Sequence, residues 1–357
     1  MKRLTSMMGS VLLGVLVVWS SFAGAESSSA RPAGAPAQSA NYSVRTLALP
    51  DNNSGDIGMD YITYDAATNS VWVPGGNTGA VDVIDAATGK VRQVTGFPTK
   101  EVEVGGGKRV VGPSGVTVGA GVVYIGSRGD SSICAVNSHT LARGVCGHID
   151  STPDAVVYIP TTKEVWVSSP SDKTIRILDG KTLKEKTKLT FEGAPEGYAV
   201  DAKNGRFYTN LEDKDRTLVI DPKTRKTIST WEPGCGKDGP RGLQVDPAAG
   251  HLIVACTTLA KVLDTAHDGA VLSQVDTGAG LDDMGYSPVT HMLYLGAGTA
   301  AKLTVAKVDE KGQLSVVAQV PTQTGVRNAV VAKDGTVYLA HSRFANISGL
   351  IVVTPGK

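Results

Sequence analysis

Seven segments of the chain open on a similar phrase, and the residue after the opening anchor is charged in six of them. These are Asp60, Asp154, Glu196, Arg241, Asp282 and Arg327, with Ser114 in the seventh. The next position adds Tyr61, Asp283 and Asn328. Carboxylates gathered around one point repel unless they are paired or bridged by a cation, so Asp60, Asp154, Glu196 and Asp282 are candidate ligands of a divalent cation, the one cofactor this pattern points to. Arg241 and Arg327 can neutralise part of that charge, or grip a ligand carboxylate or phosphate through a bidentate fork. The loop after the second strand-like run of each copy contributes Arg128, Glu212 and His341. His341 is the histidine best placed for acid–base work and, with Glu196, is a candidate catalytic residue. The ligand-binding set expected from position alone is Asp60, Arg128, Asp154, Glu196, Arg241, Asp282, Asp283, Arg327 and Asn328. The competing reading of the same residues is structural, with facing Asp–Arg pairs tying one copy to the next.

Other chemistry is poorly represented. There is no G-x-S-x-G elbow, no H-E-x-x-H and no C-x-x-C-H haem site. His139, His251 and His267 fall in expected outer turns and His291 in the turn before a second strand, so none predicts a metal cluster. "GGGK" at Gly105–Lys108 lacks the Ser/Thr and the following helix of a phosphate loop and reads as the turn of a flexible hairpin within Gly96–Gly112. Cys134, Cys146, Cys235 and Cys256 make an even set, and the simplest pairing is two local disulfides, Cys134–Cys146 and Cys235–Cys256.

The elements that must position these residues are repeats. The copies start at Met59, Pro113, Pro153, Pro195, Pro240, Leu281 and Val326, at intervals of 54, 40, 42, 45, 41 and 45 residues. Each carries short Val/Ile/Tyr-rich runs split by Gly, Asp, Asn and Pro turns. A period near forty with four strands per unit predicts a seven-bladed β-propeller, because a four-stranded sheet buries both faces only when packed between two others. The last copy has three strands before the chain stops, and "YSVRTLALP" from Tyr42 supplies a fourth that would close the ring. Residues at equivalent positions then lie at similar radii from one axis, which is why the charged set is expected to converge at the mouth of the central channel.

The phrases "RFYTN" at Arg206–Asn210 with "TLVIDPKTRKTIST", "SVWVPGGNTGAVDVIDAATGKV" from Ser70 and "EVWVSSPSDKTIRILDGKTLKE" from Glu164 resemble the YVTN-type β-propeller repeat. The resemblance covers about Tyr42 to Pro355 and rests on scaffold residues. It implies an exported bacterial propeller, in a family many of whose members have no assigned activity. Related seven-bladed propellers include lactonases, so it also implies an alternative, a metal-assisted hydrolase or lyase. Copper-binding propellers bring several histidines together, and these copies do not.

The ends and the composition bound the remaining classes. Lys2 and Arg3, an apolar run from Val11 to Trp19 and "FAGA" at Phe22–Ala25 predict a secretory signal over 1–25, with periplasmic or secreted localisation. Residues 26–41 are Ser/Ala/Pro-rich and predict a disordered tether before a propeller domain over 42–357. Removing Lys2 and Arg3 from 35 basic residues leaves 33 against 34 acidic, a formal charge of −1. That balance argues against a nucleic-acid partner. No membrane span is expected in the mature chain, and the expected state is a monomer that binds a small ligand or a protein. Asn346-Ile347-Ser348 is a formal glycosylation sequon whose use a bacterial export signal argues against.

Overall fold

The computed structural model describes residues 42–50, 57–104, 107–342, 347 and 349–356. The expected leader and tether, and Asn346 of the sequon, lie outside the described residues. Seven four-stranded antiparallel sheets make a β-propeller. Six blades use consecutive strands and start at Thr63, Pro113, Val156, Pro195, Pro240 and Leu281; they are numbered blades 1 to 6 here. Blade 7 combines Val326–Val331, Val337–His341 and Gly349–Pro355 with the N-terminal strand Tyr42–Ala48. That strand pairs in register from Tyr42 opposite Pro355 to Ala48 opposite Gly349, which closes the ring and leaves blade 7 no three-stranded edge.

The core lies between blades, as expected when each sheet needs a neighbour on both faces. Ile62, Val71, Val73 and Ile84 of blade 1 pack on Tyr338, Ala340, Leu350 and Val352 of blade 7, so the closing junction is as apolar as the others. Between blades 3 and 4 the rings of Trp166 and Phe207 stand 4.9 Å apart. The two middle strands of each blade are buried nearly throughout and carry runs such as "SVWVPG" and "HLIVAC", whereas the outermost strands are mostly exposed.

Two disulfides join Cys134 to Cys146 and Cys235 to Cys256. Cys134 and Cys146 face each other on adjacent strands of blade 2. The long first interval is a two-stranded hairpin, Lys100–Val104 with Gly107–Val111, inserted between blades 1 and 2. Among the described residues no helix is long and apolar enough to cross a membrane.

Candidate functional site

The charged positions stand at the start of the innermost strands, and a backbone irregularity sets their direction. In blades 2, 4, 5, 6 and 7 the register between first and second strands slips at this point: after Pro113, Glu196, Pro240, Leu281 and Arg327. A bulge bends the strand and re-aims its side chains. Neighbouring inner strands also approach closely. Gly197, at φ 64, would place a Cβ 2.3 Å from the Arg241 carbonyl oxygen, so only glycine fits there.

Around the mouth the charges form one connected network. Arg128 Nη2 donates to Asp60 Oδ2 at 2.8 Å and also to Asp154 Oδ1, while its Nε donates to the Pro153 carbonyl. Arg327 donates to Asp282 Oδ2 through Nη1 and lies 3.4 Å from Asp60 Oδ1 through Nη2. Asn328 Nδ2 also lies 3.4 Å from Asp60 Oδ1, and its Oδ1 accepts the Asp283 amide at 3.0 Å. Asp60 is therefore the shared centre, and each arginine bridges the two blades that flank its own. The side chains of Arg128, Asp60 and Asp154 are all less than 20 % exposed. In such surroundings charge pairing is worth more than at an open surface. Burial alone would lower the Arg128 affinity for its proton, but Asp60 and Asp154 outweigh it and hold the guanidinium firmly charged.

Across the channel the chemistry changes. Tyr61 of blade 1 reaches over the axis and donates to Glu196 Oε1 of blade 4 at 2.6 Å. Its ring stands 6.4 Å from that of Tyr198, so these side chains fill the channel beneath the mouth. Burial, and then the charges of Asp154 and Asp282, push the Glu196 carboxyl well above its usual range. The Asp154 carboxyl is raised too, by burial first and by Asp60, despite Arg128, and Glu196 is a hydrogen-bond partner of it. Glu196 and Asp154 are thus neighbouring carboxyls that both hold a proton more tightly than a free side chain does. Asp283 is pushed up to about 7 by burial and by the charges of Asp282 and Asp60.

Three clefts open around this network. One of about 110 Å³ is lined both by hairpin residues such as Val110 and Val111, with Met59 and Pro113, and by Asp60, Ser114, Arg128 and Arg327. A second of about 390 Å³ is lined by Lys100, Glu103 and Arg109 of the hairpin and by Arg128–Ser131. A third of about 350 Å³ runs from Arg327 to Gly280 and Thr299. Ser114 Oγ and Arg327 Nε are buried without a hydrogen-bond partner.

The expected set is thus largely but not wholly brought together. Asp60, Arg128, Asp154, Asp282, Asp283, Arg327 and Asn328 form the network, and Glu196 faces it across the axis. Arg241 does not join it; it pairs with Glu212 of blade 4 instead. His341 lines none of these clefts. It is fully buried, with Nδ1 3.1 Å from the Ser342 carbonyl oxygen and Nε2 2.8 Å from that of Gly349, so neither ring nitrogen is directed at a ligand space. Among the described residues no group of three or more His, Cys, Asp or Glu is arranged to hold a metal ion; at the mouth Arg128 and Arg327 stand between Asp60, Asp154 and Asp282. Tyr198 and the inserted hairpin were not singled out in the sequence as site elements. Tyr198 follows the bulge, whose position no residue type announces, and the hairpin's only signal was the long first interval.

No family model and no curated protein matches the chain. Solved structures match it over most of its length. A chain of the mitotic checkpoint complex gives a TM-score of 0.71 at 14 % identity, covering 97 % of this chain and all of that one. A streptogramin B lyase gives 0.66 at 14 %, covering 88 % and 98 %. Virginiamycin B lyase from Staphylococcus aureus gives 0.65 at 13 %, covering 88 % and 99 %. At these identities the likeness shows the seven-bladed fold, and that fold serves both assemblies and enzymes.

Proposed function

We propose that the protein is a binding propeller of the YVTN-repeat type that holds a small carboxylate- or phosphate-bearing ligand at the channel mouth. The observation carrying this reading is the seating of Arg128 and Arg327 in the wall of one cleft that the inserted hairpin also lines. Both guanidinium groups are braced by carboxylates, so neither needs ordering when a ligand arrives. Arg327 keeps Nε without a partner. The apolar residues lining the cleft give such a ligand somewhere to lay a hydrocarbon arm. An exported protein belongs to the same reading, since two disulfides fit an extracellular or periplasmic setting. The test is a thermal-shift and calorimetric screen of small carboxylates and phosphates. Saturable binding is expected in the wild type and at least a tenfold loss in Arg327→Lys, which keeps the charge but not the fork. Equal affinity in that variant would remove the support.

A second reading is supported by Glu196. Two neighbouring carboxyls with raised proton affinity are suited to general acid–base chemistry. Two structural neighbours are lyases, so a lyase or hydrolase acting at the same mouth, with or without a divalent cation, is the alternative. Glu196→Gln separates the two: a binding module keeps its affinity, whereas an enzyme binds and no longer turns over.

A further inference from the structure

Away from the mouth, at the junction of blades 5 and 6, three donor atoms meet that no site described above uses. Tyr286 Oη lies 2.7 Å from Asp246 Oδ2 and 3.1 Å from His291 Nδ1, and His291 Nδ1 lies 3.3 Å from Asp246 Oδ2. These distances close a triangle. Donors bound to one first-row divalent ion at about 2.0–2.2 Å stand roughly 3 Å from one another, so the triangle has the size of one face of a zinc coordination shell. We propose that Asp246, Tyr286 and His291 form a binding site for a borderline divalent transition metal such as Zn²⁺ or Cu²⁺.

Each part of the site is fit for that role. The Asp246 side chain is almost fully buried. Its Oδ1 accepts the Ala248 and Ala249 amides, so the carboxylate is already oriented and Oδ2 is presented to the other two groups. The His291 side chain is 44 % exposed, which gives an ion a way in. Carboxylate, imidazole and phenol oxygen together favour zinc or copper over magnesium or calcium, which prefer all-oxygen shells. On binding, the His291 Nδ1 lone pair turns to the metal and Tyr286 gives up a phenolic proton that burial and Asp246 hold tightly in the metal-free protein, so affinity rises with pH.

The scaffold does not require this trio. His291 sits at φ 56 in the turn before a second strand, and the same turn in blades 4 and 5 is made by Gly205 at φ 64 and Gly250 at φ 74. Glycine adopts that conformation without the penalty a side chain carries. In blade 1 the equivalent pair, Tyr64 and Asn69, forms a hydrogen bond with an amide oxygen and no imidazole. His291 had no metal partner legible in the sequence because the carboxylate, Asp246, comes from the preceding repeat.

The experiment is calorimetry of the chelator-stripped protein with ZnCl₂ at pH 7.5, compared with His291→Gly and Tyr286→Phe. His291→Gly puts into blade 6 the residue that blades 4 and 5 already use, so its metal-free melting temperature is expected to match or exceed the wild type. One saturable site is expected in the wild type, weakened at least tenfold in His291→Gly and less in Tyr286→Phe, with proton release that Tyr286→Phe abolishes. MgCl₂ is expected to give no heat of binding. Absence of a saturable site in the wild type, or unchanged affinity in His291→Gly, overturns the proposal; the second result would place the ion at another histidine, such as the exposed His267 beside Asp264.

Discussion

The outer turns and the channel mouth use the same blade frame in opposite ways. In the turn between third and fourth strands an Asp or Asn side chain caps the amides that follow it. Asp85 accepts from Ala87 and Thr88, Asn137 from His139 and Thr140, Asp179 from Lys181 and Thr182, Asp221 from Lys223 and Thr224. In blades 1 to 4 an Asp or Asn does the same local job. At the mouth, seven equivalent positions carry Asp, Ser, Asp, Glu, Arg, Asp and Arg, and their partners lie in other blades. Sameness at equivalent positions marks what the fold needs. Difference there marks positions the fold leaves open, and those are where chemistry can be placed.

That contrast can be broken experimentally, and the ring comes first because both regions depend on it. Deleting Tyr42–Pro50 strips from blade 7 its fourth strand, with seven residue pairs. A loss of several kcal/mol or aggregation is expected, read by chemical denaturation. Removing a disulfide is next, with about 2–4 kcal/mol lost for each pair, since the bridges close loops of 12 and 21 residues. At the mouth, Asp60→Ala takes the shared carboxylate from two arginines. It is expected to cost about 2–3 kcal/mol, less than a fully buried pair because the side chains keep some exposure. Asp282→Asn and Arg327→Ala should each destabilise, and the double change should cost less than their sum, because these two pair directly.

The pH dependence is smaller and has a definite sign. Asp283 is held near 7 in the fold, above its unfolded value of about 3.9, and Glu196 and Asp154 are raised in the same direction. The folded state therefore binds more protons over this window. Stability is full below about pH 4 as far as these groups are concerned and is lost as pH rises through 7. The melting temperature should fall between pH 5 and pH 8 more steeply in the wild type than in Asp283→Asn. The smallest effect is expected for Asp309→Ala, an exposed outer-turn cap whose carboxylate accepts the Lys311 and Gln313 amides, with ligand binding intact.

The same contrast explains what was legible in the sequence. The blade count, the closing strand and both disulfides follow from spacing, because they depend on the repeat. The charged positions were legible for the same reason, since a repeat fixes radius. Pairing was not, because it depends on which loops face each other across blade boundaries. Arg128 therefore proves central although it stands outside the ring position, while Arg241, inside it, turns to Glu212. His341 ends a second strand like Arg128's neighbour Ser127, yet the Gly349 carbonyl claims its ring. The bulges that aim the ring leave no mark in residue type, and a tyrosine crossing the axis to a glutamate 135 residues away is a fact of closure alone.

The central claim is that the divergent mouth, and not the uniform rim, is where the protein meets its ligand. Backbone amide NMR of the protein titrated with the best carboxylate or phosphate from the screen tests this most directly. Shift changes are expected at Asp60, Ser114, Arg128, Arg327 and the hairpin Lys100–Val111, with the outer turns at Asp85, Asp179 and Asp221 unmoved. Shifts confined to the rim or to the opposite face, or a screen that yields no binder at all, would contradict it.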